Sequence, residues 1–186
     1  MFPRFEVTEE RSEPRAVFGC VSTTAYGRET WIGDGWIGYL MHGVTLIRGR
    51  WHRRGELWAF APDSPGVTDA IRDQRGWSVL DSYWGERAEL VLDRYREWHR
   101  ARFEPTDAIQ FKGTGGVWLR QATGSAADGG EVVEGAWDHE HCEICWETLC
   151  PGGQAEGYVS PSHTWVCERC YSDFIARASL DFIQNV

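Results

Sequence analysis

The sequence predicts an α+β fold in which an antiparallel sheet packs against one long helix and a small cysteine-rich module follows. Three observations predict this fold. Short β-branched and aromatic runs separated by glycine fill residues 16–60. Apolar residues then recur at intervals of three and four over residues 78–103. Two pairs of cysteines lie in the last quarter of the chain.

The first half of the chain is typical of an antiparallel meander. Residues 1–15 are charged and contain two prolines, so we expect a flexible arm there. Beyond them, runs rich in Val, Ile, Trp and Tyr alternate with glycine, which is the pattern of short strands joined by tight turns. The strand-like runs are 16–21, 30–32, 36–40, 44–47 and 56–60.

Helical spacing follows the meander. Thr68 can cap a short helix that ends near Arg75. A second helix is predicted over residues 78–103, with one apolar face toward the sheet and one charged face, which includes Arg87, toward solvent. The apolar face consists of Leu80, Trp84, Ala88, Val91, Tyr95 and Trp98.

Two further strands, 108–111 and 116–119, complete the predicted α+β domain at residues 16–120. Residues 121–136 are rich in Gly, Ala and Glu and contain few large apolar side chains, which indicates a linker.

Four cysteines then form two CxxC pairs separated by 21 residues, a spacing close to that of four-cysteine zinc sites. Two intervening residues let one tight turn present both sulfurs to the same ion. The sequence therefore predicts one structural zinc ion per chain. The predicted ligands are Cys142, Cys145, Cys167 and Cys170.

The residues between and after the cysteine pairs favour a treble-clef-like module at residues 137–186. Runs 157–160 and 163–166 can pair as a hairpin that brings the second cysteine pair back to the first. After Cys170, the spacing of Tyr171, Phe174 and Phe182 predicts an amphipathic helix.

Other roles for the cysteines remain open at this point. Six cysteines are an even number and would allow disulfides, which fit poorly in a chain with no secretion signal. Cys20 is expected to be a buried apolar residue. Four residues are reserve ligands that could replace one cysteine of the site: His139, His141, His163 and Cys150.

Charge is distributed unevenly. Residues 1–125 carry 17 acidic and 17 basic side chains, whereas residues 126–186 carry 11 acidic and two basic ones. Phosphate-backbone binding depends on Lys and Arg, so a nucleic-acid partner is disfavoured and a basic protein partner is favoured. The Arg-rich run 48–54 could contact nucleic acid or an acidic partner, or it could be a solvated hairpin. No apolar run approaches the length that spans a bilayer, so we expect a cytoplasmic protein.

The cysteine-rich segment resembles a group of small uncharacterised bacterial proteins. The matching elements are W-D-H-E-H-C-E-I-C-W at 137–146, E-G-Y-V at 156–159 and W-V-C-E-R-C-Y-S-D-F at 165–174. Some members of the group resemble toxin-neutralising immunity proteins in architecture. The resemblance covers about 45 residues and implies the same four zinc ligands.

Enzymatic alternatives have weaker motifs. Zinc deaminases combine H-x-E with P-C-x-x-C, which His141 and Glu143 followed by Cys167 and Cys170 imitate, but Val166 stands where proline is expected. An unrecognised active site in the N-terminal domain is a second alternative, although no phosphate loop, nucleophile elbow or H-E-x-x-H is present. Its candidate residues are Asp34, His42, His52, Asp81, Glu86 and His99.

The favoured hypothesis is therefore a zinc-stabilised protein-binding module, acting as an immunity or adaptor-type inhibitor of a bacterial toxin or another basic partner. Eleven tryptophans in 186 residues support it, because Trp is enriched at protein interfaces. Trp137 and Trp146 are the candidate anchors.

Overall fold

Strands dominate the fold. A computed structural model describes residues 2–8, 14–22, 32–114, 116–122 and 130–184. It is 46% strand and 19% helical, and it contains only short helices. The predicted sheet with one long helix is therefore wrong. The structure has a closed six-stranded barrel in place of the open sheet.

The barrel is built from the first six strands in the order β1-β2-β5-β4-β3-β6, and β1 closes it by pairing with β6. All neighbouring strands are antiparallel. Closure leaves the sheet without a free edge. The strands are β1 (Arg4–Val7), β2 (Val17–Val21), β3 (Ile37–His42), β4 (Thr45–Arg54), β5 (Leu57–Pro62) and β6 (Trp77–Leu80).

Aromatic side chains fill the barrel. Trp51 and Phe60 face each other across β4 and β5 with ring centroids 4.7 Å apart, and Phe5 meets Trp51 edge to face at 5.3 Å. All three are fully buried. Gly38 lies against the Trp51 indole, where any Cβ would overlap the ring. The bulk of Trp51 thus explains the glycine in β3.

The first strand lies within the segment that we expected to be a flexible arm. Phe5 in β1 is fully buried, and β1 pairs with both β2 and β6. The charged and proline residues that suggested an arm flank only four strand residues, of which one points into the core. Residues 9–13 lie outside the described part of the chain.

The predicted helix over 78–103 divides into three elements. Residues up to Leu80 belong to β6, α2 covers Ser82–Leu92, and β7 covers His99–Arg102. Ala88 and Val91 are buried as expected, whereas Tyr95 is 97% exposed. Arg87 is also buried, contrary to expectation, with its guanidinium over the Tyr83 ring. The predicted short helix is present as α1 (Thr68–Asp73), but its N-cap residue is Val67 and no side chain caps it, so the predicted capping role of Thr68 is wrong.

The chain divides into two compact units. The first comprises the described residues of 1–94 and 178–186, with the barrel, α1 and α2. The second spans 95–177 and is built from small sheets: β10-β8-β9, β11-β12 and β14-β13-β7. Their remaining strands are β8 (Thr106–Gly113), β9 (Gly116–Gln121), β10 (Glu131–Trp137), β11 (Glu140–His141), β12 (Thr148–Leu149), β13 (Glu156–Val159) and β14 (Trp165–Cys167).

Strand β10 occupies part of the segment expected to be a linker, and residues 123–129 of that segment lie outside the described chain. Strand β10 pairs with β8 through Val132 and Val133. The low apolar content that suggested a linker is compatible with an edge strand, because much of such a strand faces solvent.

The predicted treble-clef-like helix after Cys170 is not continuous. Helix α3 (Glu168–Cys170) passes into a π-helical turn, Tyr171–Ile175, and Ala178 at φ 50° ends the helical path. The last helix, α4 (Asp181–Gln184), belongs to the first unit, where Phe182 lies 6.4 Å from Trp84 between ring centroids. Among the described helices, none combines the length and the hydropathy needed to cross a membrane.

Candidate metal centre

Four cysteine sulfurs converge in the second unit. The Sγ atoms of Cys142, Cys145, Cys167 and Cys170 all lie within 4.8 Å of one another, and this group could hold one metal ion. Cys145 Sγ and Cys167 Sγ are 3.7 Å apart, far beyond the S–S bond length of about 2.05 Å. All six cysteines of the chain are described, and each is a free thiol rather than half of a disulfide.

The first cysteine pair lies in a tight turn between β11 and β12. Trp146 N donates to the Cys142 carbonyl oxygen at 2.9 Å, and Cys142 N donates to the Glu147 carbonyl oxygen at 2.8 Å. These bonds close the tight turn that carries both cysteines. Ile144, within the turn, is buried.

The second pair lies where β14 meets α3. Cys167 is the N-cap residue of α3, and its Sγ accepts a hydrogen bond from Cys170 N at 3.4 Å. An N–H group aimed at sulfur stabilises the thiolate form that a metal requires. Both sulfurs are buried, as is Cys142, while Cys145 is exposed.

A hairpin carries the second pair to the first. Strands β13 and β14 pair antiparallel, so the hairpin predicted from residues 157–166 is present. Glu143 N then donates to the Trp165 carbonyl oxygen at 2.9 Å, which joins the first turn to β14. Tyr158 on β13 stacks on Tyr171, with ring centroids 3.5 Å apart, and so fixes the backbone that follows Cys170.

The cysteines of the sulfur cluster have pKa values that are shifted in opposite directions. Hydrogen bonds from Cys167 and Cys170 lower the pKa of Cys142 to about 2. The bond to Cys142 raises the pKa of Cys167 to about 11. Hydrogen bonds to Cys142 and Cys167 raise the pKa of Cys170 further. A cation that binds all four sulfurs must displace the remaining protons.

An ion pair borders the second cysteine pair. Arg100 on β7 donates to Glu168 Oε1 through Nη2 at 2.6 Å and through Nε at 2.9 Å. Glu168 directly follows Cys167, so this contact links β7 to the start of α3. Sequence reasoning missed it because Arg100 lies within the predicted helix 78–103, whereas the structure places it on β7. No sequence signal connects two residues 68 positions apart.

The reserve ligands lie outside the sulfur cluster. Within the described chain, the four cysteines are the only group of three or more potential ligands that are close enough for a metal. His141 Nδ1 lies 3.3 Å from the Trp146 carbonyl oxygen, and His139 Nδ1 lies 2.6 Å from Asp138 Oδ1. Neither His163 nor Cys150 joins the group.

The candidate catalytic residues of the N-terminal region do not form a comparable group. His52 Nδ1 is 3.8 Å from Asp34 Oδ1; His52 is half-buried and Asp34 is exposed. Asp81 caps α2 by accepting a hydrogen bond from Trp84 N. His42 meets Gln74, with 3.0 Å between their nitrogens.

The Arg-rich run is engaged locally. Arg48 pairs with Asp63 at 2.8 Å, Arg50 donates to the Gly35 carbonyl oxygen, and Arg53 lies over the Trp58 ring. Arg54 donates to the Arg53 carbonyl oxygen. These contacts favour the solvated hairpin among the two interpretations of this run.

Trp146 has a conformation that its sequence neighbours do not indicate. It is the residue after the first cysteine pair, it has φ 63°, and its side chain is 57% exposed. The His141 ring lies 5.5 Å from it between centroids, and the His139 ring lies 5.0 Å from that of His141. The turn of residues 142–146, called the metal turn below, thus presents an indole and two imidazoles on its outer side.

Comparison with known proteins adds no relative. The chain matches no protein-family model, no curated protein and no solved structure.

Proposed function

We propose that this chain is a zinc-stabilised protein-binding module that acts as an immunity or adaptor-type inhibitor of a basic protein. The single observation that carries the proposal is Trp146, a large apolar side chain held outward by the metal turn. The proposed ion organises the turn, and the turn presents the indole.

Zinc is the proposed ion because of the donor set and its spacing. Four thiolates in a tetrahedron favour zinc or iron among biological metals. With a Zn–S bond of about 2.3 Å, tetrahedral geometry requires sulfurs about 3.8 Å apart. The Cys145–Cys167 sulfur distance of 3.7 Å agrees with that value. Four protein sulfurs leave no position for a reactive water, so the role is structural.

Backbone strain supports a functional role for Trp146. Only glycine adopts a positive φ without a steric cost, and an L-residue there is less stable by about 1–2 kcal/mol. Trp146 N donates to the Cys142 carbonyl oxygen, so the residue is anchored in the cysteine turn. Burial does not offset the cost, because the indole is more than half exposed. Strain of this kind is typical of binding sites.

The charges near Trp146 favour a basic partner. Glu143 and Glu147 lie on exposed parts of the same turn, and Asp138 is held ionised because the hydrogen bond from His139 lowers its pKa. Four thiolates around a divalent cation add a net charge of about −2. A basic toxin surface would be attracted to this region, and the attraction would weaken as salt increases.

A deaminase-like role has less support. That chemistry needs a histidine on the metal and an open coordination position. Here His141 lies outside the group of sulfurs and faces the Trp146 carbonyl oxygen and the Thr148 hydroxyl.

Trp146→Gly is the decisive substitution. It removes the indole and relieves the positive-φ strain, so the variant should be as stable as the wild type or more stable. It should nevertheless lose its partner. We expect tagged wild-type protein to retain a basic protein from the native host, with a toxin encoded beside this gene as the first to test.

The matched control is Trp36→Ala, which removes an indole of similar exposure from the barrel unit and should leave capture unchanged. Calorimetry of the purified pair then gives the dissociation constant of each variant. Equal affinity of wild type and Trp146→Gly for the same partner would overturn the proposal.

A further inference from the structure

Among the described strands, β9 is an edge strand of its sheet. It pairs with β8 on one side, and no strand of the described chain pairs with its other side. Val117, Trp118 and Leu119 are consecutive on it and are 60%, 53% and 41% exposed. Alternate residues of a strand point to opposite faces, so apolar side chains flank this edge on both faces of the sheet.

The opposite edge of the same sheet is protected. Strand β10 carries Glu131 and Glu134, and its pairing with β8 is shifted by an irregularity between Val133 and Trp137. Gly135 within that irregularity has φ 63°. Charges and bulges are the usual means of preventing strand addition. Strand β9 has no bulge, no proline and a single charge, Arg120.

The backbone of β9 is arranged to receive a strand. Ala122 N donates to the Asp107 carbonyl oxygen, and Ala108 is opposite Gln121 in the register. Because hydrogen-bonded pairs alternate in an antiparallel ladder, Trp118 and Arg120 direct their backbone groups toward β8. Val117, Leu119 and Gln121 therefore direct theirs outward.

We propose that β9 pairs antiparallel with β9 of a second copy of this chain, about a two-fold axis at Leu119. The backbone groups that point outward belong to odd-numbered residues. The two-fold axis must therefore pass through a residue and cannot lie between two residues. A centre at Leu119 places Val117 opposite the partner's Gln121 and Trp118 opposite the partner's Arg120. The only charge on the strand then meets an aromatic ring in each half of the pair.

The neighbouring registers are less complementary. A centre at Arg120 would oppose two arginines, and a centre at Trp118 would leave Arg120 opposite Gly116. Arg120 already lies 5.4 Å from the Phe111 ring centroid, and Phe111 stacks on Trp118. The centre at Leu119 extends this aromatic and arginine row across the interface. Self-complementarity of this kind selects a second copy over an unrelated strand.

The association should be weak. A five-residue strand edge buries less than the about 800 Å² per partner of a standard interface. We therefore expect a monomer–dimer equilibrium in the micromolar range, measured by sedimentation velocity on the full metal-loaded chain over a concentration series. Monomer at every concentration would overturn the proposal, as would growth beyond the dimer.

Charge substitutions at the axis test the register. Leu119→Lys and Leu119→Glu each place like charges opposite each other and should give monomers. An equimolar mixture of the two should recover a dimer, because opposite charges then face each other at the axis. Val132→Lys on the protected edge is the matched control and should dimerise as the wild type does.

Two results would overturn the two-fold pairing about Leu119. In the first, Leu119→Lys still dimerises while Val132→Lys does not, which would assign the interface to β10. In the second, the wild type is monomeric and Leu119→Lys loses a protein captured by the wild type, which would make the occupant a partner's strand. Trp146 lies outside β9, so a failure here leaves the Trp146→Gly experiment unaffected.

Discussion

At the scale of single residues, Tyr39 makes the stability of the barrel unit depend on pH. Its ring is fully buried, and its hydroxyl donates to Glu89 Oε2 at 3.0 Å. Burial raises the pKa of Tyr39 well above its ordinary value, and the charge and hydrogen bond of Glu89 raise it further. The contribution of Tyr39 to stability is therefore fully present below about pH 10, the unfolded pKa. It is lost as the pH rises from there toward the folded pKa.

Tyr39→Phe should consequently change the alkaline limb of the stability curve. We expect the variant to lose about 1 kcal/mol at neutral pH, because one hydrogen bond is absent. Above about pH 10 its stability should fall less steeply than that of the wild type. Urea unfolding followed by circular dichroism at neutral and alkaline pH measures both effects. Tyr95→Phe is the exposed control, and parallel pH curves for Tyr39→Phe and wild type would contradict the prediction.

At the scale of elements, α2 is positioned by a close approach to β3. Asp81 begins the helix by accepting a hydrogen bond from Trp84 N at 3.0 Å. Gly85, one turn on, lies against the Tyr39 ring, and a Cβ at this position would overlap the ring. Packing between helix and strand thus explains why a glycine lies in mid-helix, although glycine has a low helix propensity.

Gly85→Ala should therefore destabilise the barrel unit. Helix propensity alone predicts a gain of about 1 kcal/mol. Overpacking a filled contact costs about 1–3 kcal/mol, and we expect it to exceed the gain. Gly66→Ala, whose new Cβ meets no atom within 4 Å, is the control and should stay within about 0.5 kcal/mol of wild type. Thermal unfolding distinguishes the two, and a Gly85→Ala variant more stable than wild type would refute the packing argument.

Periodicity alone could not divide residues 78–103 into their elements. Leu80, Ala88 and Val91 do face the core, so the apolar spacing was informative about burial. Leu80 is buried from a strand, however, and Ala88 from a helix. A buried position is apolar in either element, so the sequence alone does not distinguish them. The pairing of β7 with β13, more than 50 residues away, decides where the helix stops.

At the scale of the whole molecule, the barrel has its own aromatic core, while the second unit consists of small sheets and contains the sulfur cluster. Small sheets bury little apolar surface, so we expect the second unit to depend on its metal. The barrel, with Phe5, Trp51 and Phe60 at its centre, should not.

Cys167→Ser should show that the second unit depends on the metal and that the barrel does not. Removal of one buried ligand should release the metal, and hydrogen exchange should then accelerate in β13 and β14 while β3 and β4 stay protected. Mass spectrometry of exchange and elemental analysis provide the readouts, with about one zinc per wild-type chain expected. Cys20→Ser is the control, because Cys20 lies exposed on β2 and is not buried as the sequence predicted. Retention of a full equivalent of zinc by Cys167→Ser would contradict the prediction, as would equal loss of protection in both units.

The sequence by itself determined the features that depend on local spacing. Two CxxC turns, the hairpin between them, the short helix at Thr68 and most of the barrel strands follow from contacts between near neighbours along the chain. The four sulfurs were predicted individually because a CxxC turn brings both of its sulfurs to one side whatever surrounds it.

Tertiary structure decided everything that depends on distant residues. Closure of the barrel by β1 and β6, the ion pair of Arg100 with Glu168 and the return of α4 to the first unit join positions that no local pattern relates. Local spacing encodes which side a residue faces, whereas long-range pairing is selected by the free energy of the complete fold.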